Sequence, residues 1–396
     1  NGNRVERYDS NEGWTYYAYN AENRLAQVLL SPWEAPPITT TFTYDGDGQR
    51  VMRINSDGVE TRYVGAHYER TTAWMWSENE TIYGETGDGQ TYPNMVSDAE
   101  GTLYLVWVES PVDYSYQVRF ATHDPQTGWS SSEFVGTLER EDVGVSSRPV
   151  VSVDDEGYAT VAWASYDEET GYDIYTRRRS PGGGWGSTKQ VTDDAADETY
   201  PTLAAASNGI VYLAWQWEDE SYNQRVQVSR YVPGGTEWQP DHLVAYSEKP
   251  ALAADSQGKV YLVGVKMDEF GDELYMARRD ALGWWPVSAI PNTFFYSYDP
   301  PAVTTDAQDN VLVTWAEGNS ILWLKRWDVD AGAWEPAEAL DGGWDFYGSD
   351  IVVDSTGRPY GIVGVGVDSP DNQFASVNGR LISDADVDST MPTIAV

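Results

Sequence analysis

The chain has 396 residues, enough for two or three average domains or for one large repeat domain with an appendage. Its 63 acidic and 25 basic residues give a formal charge of −38, a field that repels nucleic acid and anionic membrane and argues against both as partners. Without cysteine it can form neither disulfides nor thiolate metal sites, and no apolar run approaches the ~18 residues of a membrane span. The many Gly, Trp and Tyr residues, against few Leu and Lys, favour an all-β architecture.

The first elements in chain order are the alternating strands of TYYAYNAENRLAQVLL (15–30) and TTFTYDGDGQRVMRINSDGVETRYVG (40–65). Polar turns join them at Asn20–Asn23 and Asp45–Gly48. Tyr19-Asn20-Ala21-Glu22-Asn23-Arg24-Leu25 and Tyr44-Asp45-Gly46-Asp47-Gly48-Gln49-Arg50-Val51 resemble YD repeats, the β-hairpin units of rearrangement-hotspot and teneurin-like proteins. The first copy departs in carrying Asn20 where Asp is usual, and SPWEAPP (31–37) is an insertion. The resemblance covers residues 1–62 and implies an extracellular β-shell or stalk setting, although two copies cannot close a shell. NGNRVERYDS (1–10) reads as the tail of an earlier repeat, so residue 1 is not expected to be a native start, and any export signal is expected outside this chain.

From residue 93 a phrase recurs: a short apolar strand, an Asp-x-x-Gly turn, then an apolar strand that often ends in Trp. The copies are PNMVSDAEGTLYLVW (93–107), PVVSVDDEGYATVAW (149–163), PTLAAASNGIVYLAW (201–215), PALAADSQGKVYLVG (250–264), PAVTTDAQDNVLVTW (301–315) and DIVVDSTGRPYGIVG (350–364). Trp107, Trp163, Trp215, Gly264, Trp315 and Gly364 recur about every 50 residues, the size of a four-stranded β-propeller blade. Within each unit, strands A and B flank the turn, strand C alternates, as in YDIYTRRRS (172–180), and a Trp marks strand D at Trp129, Trp185, Trp238, Trp285 and Trp334. These Trp residues are expected to pack between blades.

Against this template, residues 63–90 read as strands C and D of a blade lacking A and B. MPTIAV (391–396), nearly the YPTLAA of 200–205, reads as a strand A lacking the rest. The expected fold is therefore an all-β propeller of about seven four-stranded blades, with six as the alternative. A YD-repeat-like arm spans 1–62 and the propeller 63–396. Met391, Pro392, Thr393, Ile394, Ala395 and Val396 form an assembly strand that completes either its own ring or a neighbour's.

No catalytic set is legible. His67, His123 and His242 are isolated, and no Gly-x-Ser-x-Gly elbow or phosphate loop occurs. The Asp-x-x-Gly turns are similar to the Asp boxes of sialidase-like and lectin propellers, but the full Ser-x-Asp-x-Gly-x-Thr-Trp phrase is never complete. The resemblance implies three converging arginines for a sialidase. Here Arg177, Arg178, Arg179, Arg278 and Arg279 sit on C strands and are read as solvated charges.

Acidic residues of the D-to-A and B-to-C loops, among them Asp193, Asp194, Asp197, Glu198, Asp167–Glu169, Glu218 and Glu317, are expected to crowd one face. Asp384, Asp386 and Asp388 have the alternate spacing of a calcium loop, without its Gly and distant Glu, so Ca²⁺ is the one cofactor considered. Trp215, Trp217 and Glu218 combine an aromatic platform with a carboxylate, as sugar sites do.

Three functions follow. The leading one is a non-enzymatic, extracellular structural or adhesive subunit that joins copies of itself, or neighbouring propellers of a longer chain, by strand sharing. The alternatives are a glycan-binding propeller and a glycoside hydrolase or lyase.

Overall fold

A computed structural model describes residues 4–9, 13–31, 38–45, 48–55, 60–64, 68–72, 89–110, 116–138, 145–268, 271–293, 300–317, 321–342, 346–354, 357–367, 369–377 and 380–381. The protein is all-β, and among the described residues no helix is long and apolar enough to cross a membrane. A seven-stranded antiparallel meander runs from Glu6–Asp9 to Tyr68–Thr72. Among the described residues six antiparallel sheets follow, each with four strand positions, the outermost divided into two pieces in the first, fourth and fifth.

Strands Tyr68–Thr72 and Glu60–Val64, which include residues read as strand C of a split blade, pair with each other at the edge of the N-terminal meander. Residues 73–88 and the assembly strand Met391–Val396 lie outside the described residues, as do Asp384, Asp386 and Asp388.

The repeated phrase folds as its chemistry dictates. In four of the sheets an Asp opens the turn and its Oδ1 accepts two backbone N–H groups beyond it: Asp98 from Glu100 and Thr102, Asp154 from Glu156 and Tyr158, Asp255 from Gln257 and Lys259, Asp306 from Gln308 and Asn310. The fourth turn residue must take a left-handed conformation, which Gly supplies at 101, 157 and 258 and Asp309 tolerates at φ 64°. The other carboxylate oxygen of Asp98 and of Asp255 accepts from the hydroxyl of Tyr104 and Tyr261, respectively, in the next strand. Replacing Asp255 by Ala is therefore expected to cost about 2–3 kcal/mol, because it orphans both turn amides and the buried Tyr261 hydroxyl. A shift of the urea midpoint measures that loss.

The prolines that open several copies also acquire a reason. Inner strands Gly89–Ser97, Asp197–Ala205 and Glu248–Ala254 each break register around an Xaa-Pro pair, at Tyr92-Pro93, Tyr200-Pro201 and Lys249-Pro250. The residue before each proline has φ near +50°. A bulge is where a residue without an N–H fits a strand, since no ladder bond is demanded there. The six inner strands converge on one axial channel of about 310 Å³. They are stitched together there, Asn94 Oδ1 accepting from Val151 N–H and Thr202 Oγ1 from Leu252 N–H.

The core lies between sheets, and its polar stitching corrects two readings. Trp185, Trp238 and Trp284 do pack across the seam: their indole N–H groups donate to Glu133, Thr176 and Asp241 of the preceding sheet. In the fourth sheet the seam residue is Trp284, not Trp285, which is 46% exposed and donates to Asp280 of its own sheet. The arginines are not solvated charges. Arg179 pairs with Glu133 at 2.8 Å and Arg279 with Asp241 at 2.9 Å, each beside the seam Trp. Arg178 pairs with Asp154 at 2.6 Å, and Arg177 donates to the Val135 carbonyl at 2.9 Å. Alternation along strand C sends neighbouring side chains to opposite faces, but both faces are covered by adjoining sheets, so each guanidinium finds a partner.

Candidate functional site

Asp194, Asp197, Glu198 and Glu218 of the acidic loop set lie at the seam between the second and third sheets. Asp197 Oδ1 accepts from the Tyr172 backbone N–H at 3.0 Å, and Asp194 accepts from the Trp217 indole at 3.3 Å. The segment that leaves the second sheet thus ties the B-to-C end of that sheet to the start of the third. Antiparallel register places Asp197 opposite Glu218 and Glu198 opposite Trp217.

The three residues read as a sugar platform are placed otherwise than a platform requires. Trp215 is 4% exposed and packs in the core with Val150, Ala162 and Ile174. The Arg225 guanidinium lies 3.5 Å from the Trp217 ring centroid, and Glu218 accepts from Gln224. Among the described residues no three Asp, Glu, His or Cys side chains converge in a geometry that holds a metal ion.

The same seam encloses one of the acids expected among the loops of one face. Glu198 is fully buried, and neither carboxyl oxygen has a well-formed hydrogen bond. Burial, with Asp194 and Asp173 close by, pushes its carboxyl up to about 9. Asp173 is also fully buried, and burial raises it despite donors from Thr170, Thr192 and Gln190. At neutral pH Glu198 therefore holds its proton beside Asp194.

The open site is on the other side of the second sheet. A cleft of about 960 Å³ separates it from the outer strand of the first sheet. Trp163, Tyr166 and Tyr175 line it together with Asp167, Glu168 and Glu169, and no Lys or Arg is in the lining. Trp163 stacks on Tyr175 with ring centroids 6.0 Å apart, and its indole N–H donates to the Thr137 carbonyl across the cleft floor. Gly136 permits that approach, since a Cβ there would collide with the Trp163 ring. Phe134, 45% exposed, also lines the cleft.

Such a cleft can hold a polyhydroxylated ring against aromatic faces while carboxylates accept its hydroxyl protons. Its absence of basic groups disfavours an anionic ligand. The run WASYDEE (163–169) held the signal, aromatics followed at once by acids, but the facing wall belongs to another repeat.

No protein-family model and no curated protein sequence matches this chain. Solved structures do resemble it. A protein of unknown function from Dyadobacter fermentans has a TM-score of 0.55 at 13% identity, over 75% of this chain and 96% of its own. An α-L-arabinofuranosidase from Fusarium graminearum has a TM-score of 0.50 at 11% identity, over 73% and 92%. A Hadza microbial sialidase has a TM-score of 0.48 at 14% identity, over 82% and 70%.

With the four-stranded antiparallel sheets of the described residues, the first two likenesses define a β-propeller-like all-β protein. They also correct the expectation that the chain is no enzyme: a glycoside hydrolase has this fold, so the architecture is one that supports catalysis.

Proposed function

We propose that this protein is a glycan-binding β-propeller of an extracellular assembly, holding a neutral or amine-bearing glycan in the cleft between the first and second sheets. The observation that carries this reading is the pairing of Phe134, Tyr166 and Tyr175 with Asp167, Glu168 and Glu169 in one open cleft whose lining holds no basic residue, Trp163 being the buried ring on which Tyr175 rests. Rings supply apolar faces for pyranose stacking, and carboxylates orient the hydroxyls. The adhesive role read from the sequence is retained in this form. The propeller holds the sugar, and the YD-repeat-like meander joins it to copies of itself or to further chain.

A glycan array tests the reading. Binding is expected among non-acidic glycans, falling at least tenfold in Tyr166→Ala and in Glu168→Gln, with sialylated glycans left blank. Binding confined to acidic glycans, or unchanged in both variants, would overturn it.

Hydrolysis of such a glycan is the second reading. It is favoured by the carboxyl groups of Asp167, Glu168 and Glu169 in that same open cleft, because glycoside cleavage uses two carboxyl groups. Reducing-sugar release from a non-acidic polysaccharide, lost in Asp167→Asn, is the expected result. No release across a broad panel would sink this second reading alone.

A further inference from the structure

The N-terminal meander carries a separate aromatic surface. Glu6, Tyr16, Leu29 and Thr39 are successive register partners across four strands, so their side chains share one face. That face is turned toward the fifth sheet: Leu29 is 1% exposed, and Thr39 Oγ1 lies 3.5 Å from the Leu340 carbonyl oxygen. Trp14, two residues before Tyr16, and Tyr8, opposite Trp14, extend the same face beyond the contact. They are 37% and 53% exposed. The three rings form a run, Tyr8 to Trp14 at 5.0 Å between centroids and Trp14 to Tyr16 at 6.2 Å with planes 19° apart.

Where this run meets the fifth sheet there is a cleft of about 640 Å³. Glu6 enters it from the meander and Glu317 from the fifth sheet, with Trp323, Asn20 and Asn23 also in the lining and no Lys or Arg. Both carboxylates act on the Tyr16 phenol, which burial first and then Glu6 and Glu317 hold above its ordinary value. Two anions without a basic residue in the same lining, set against aromatic rings, make a pocket for an ammonium group. The flat, half-exposed rings leading away from it suit the apolar faces of successive sugar rings.

We propose that this junction binds a polymer of amino sugars with free amines, its rings stacked along Tyr16, Trp14 and Tyr8 and an ammonium group held between Glu6 and Glu317. The site does not depend on the cleft between the first and second sheets.

Calorimetric titration of the full chain at pH 5.5 tests the proposal with three probes: glucosamine oligomers, their N-acetylated counterparts, and oligolysine. Glucosamine oligomers are expected to bind. Affinity should fall at least tenfold in Trp14→Ala, in Glu317→Gln, and on N-acetylation of the ligand. Equal binding of the acetylated oligomers would remove the role of the carboxylates. Oligolysine binding as tightly would assign the surface to basic peptides instead. Loss in Tyr166→Ala with no loss in Trp14→Ala would move the ligand to the other cleft, and each of these results, like an absence of binding, overturns the proposal.

Discussion

Glu198→Gln is expected to unfold at a higher temperature than the parent chain at pH 8 and at nearly the same temperature at pH 4. A glutamate in the unfolded chain titrates near 4.5, whereas burial beside Asp194 and Asp173 carries Glu198 to about 9. Between those values the folded state binds a proton that the unfolded state releases. The stability linked to that proton is complete below about 4.5 and is lost as pH rises toward about 9. At 1.4 kcal/mol per pH unit, the loss by pH 7 is on the order of 3 kcal/mol. Glutamine keeps the shape and has no proton to lose, so the gap between the two melting curves should widen with pH. A weaker slope of the same sign remains in the variant from Asp173, also raised by burial. Parallel curves for the two proteins from pH 4 to pH 8 would show that Glu198 is ionised in the folded chain.

Gly264 carries the second large effect. It stands where four other copies of the phrase have Trp, and it lies directly opposite Tyr275 on the next strand. A Cβ on Gly264 would sit 2.5–2.8 Å from the Tyr275 ring and hydroxyl, and Tyr275 is 1% exposed. In the fourth sheet the aromatic volume of that position is thus supplied from across the ladder. Gly264→Ala alone is expected to cost about 1–3 kcal/mol by overpacking, and Gly264→Trp more. Tyr275→Ala alone should cost about 3–5 kcal/mol by leaving a cavity. The double variant Gly264→Trp with Tyr275→Ala should be more stable than the sum of the two losses allows, because each change makes room for or refills the other. Strict additivity in a denaturant double-mutant cycle would refute the exchange.

The same pair shows where sequence reading works and where it stops. The recurrence of Trp at 107, 163, 215 and 315 exposes the repeat, and Gly264 looks like a simple loss until the cross-strand partner is known. The Asp-x-x-Gly turns were legible because the backbone bonds that close such a turn lie within four residues. The arginines were misread for the opposite reason. Arg179 is 46 residues from Glu133 and Arg279 is 38 from Asp241, so the alternation that made them seem solvated could not report what covers the outer face. Trp285 was preferred to Trp284 on pattern alone. Only the neighbouring sheet's Asp241 distinguishes them.

By itself, the sequence determined the all-β class and the four-strand unit with its turns. Those properties follow from local propensity, period and short-range hydrogen bonds, which one copy of a repeat contains in full. The tertiary structure alone decided that Trp215 is core, that Glu198 is enclosed, and that the open cleft faces the first sheet. It also decided that the meander continues through Thr72 and lays its aromatic face against the fifth sheet. Each of these depends on which surface of another repeat closes over a side chain, and that packing joins residues far apart in the chain, where no local pattern records it.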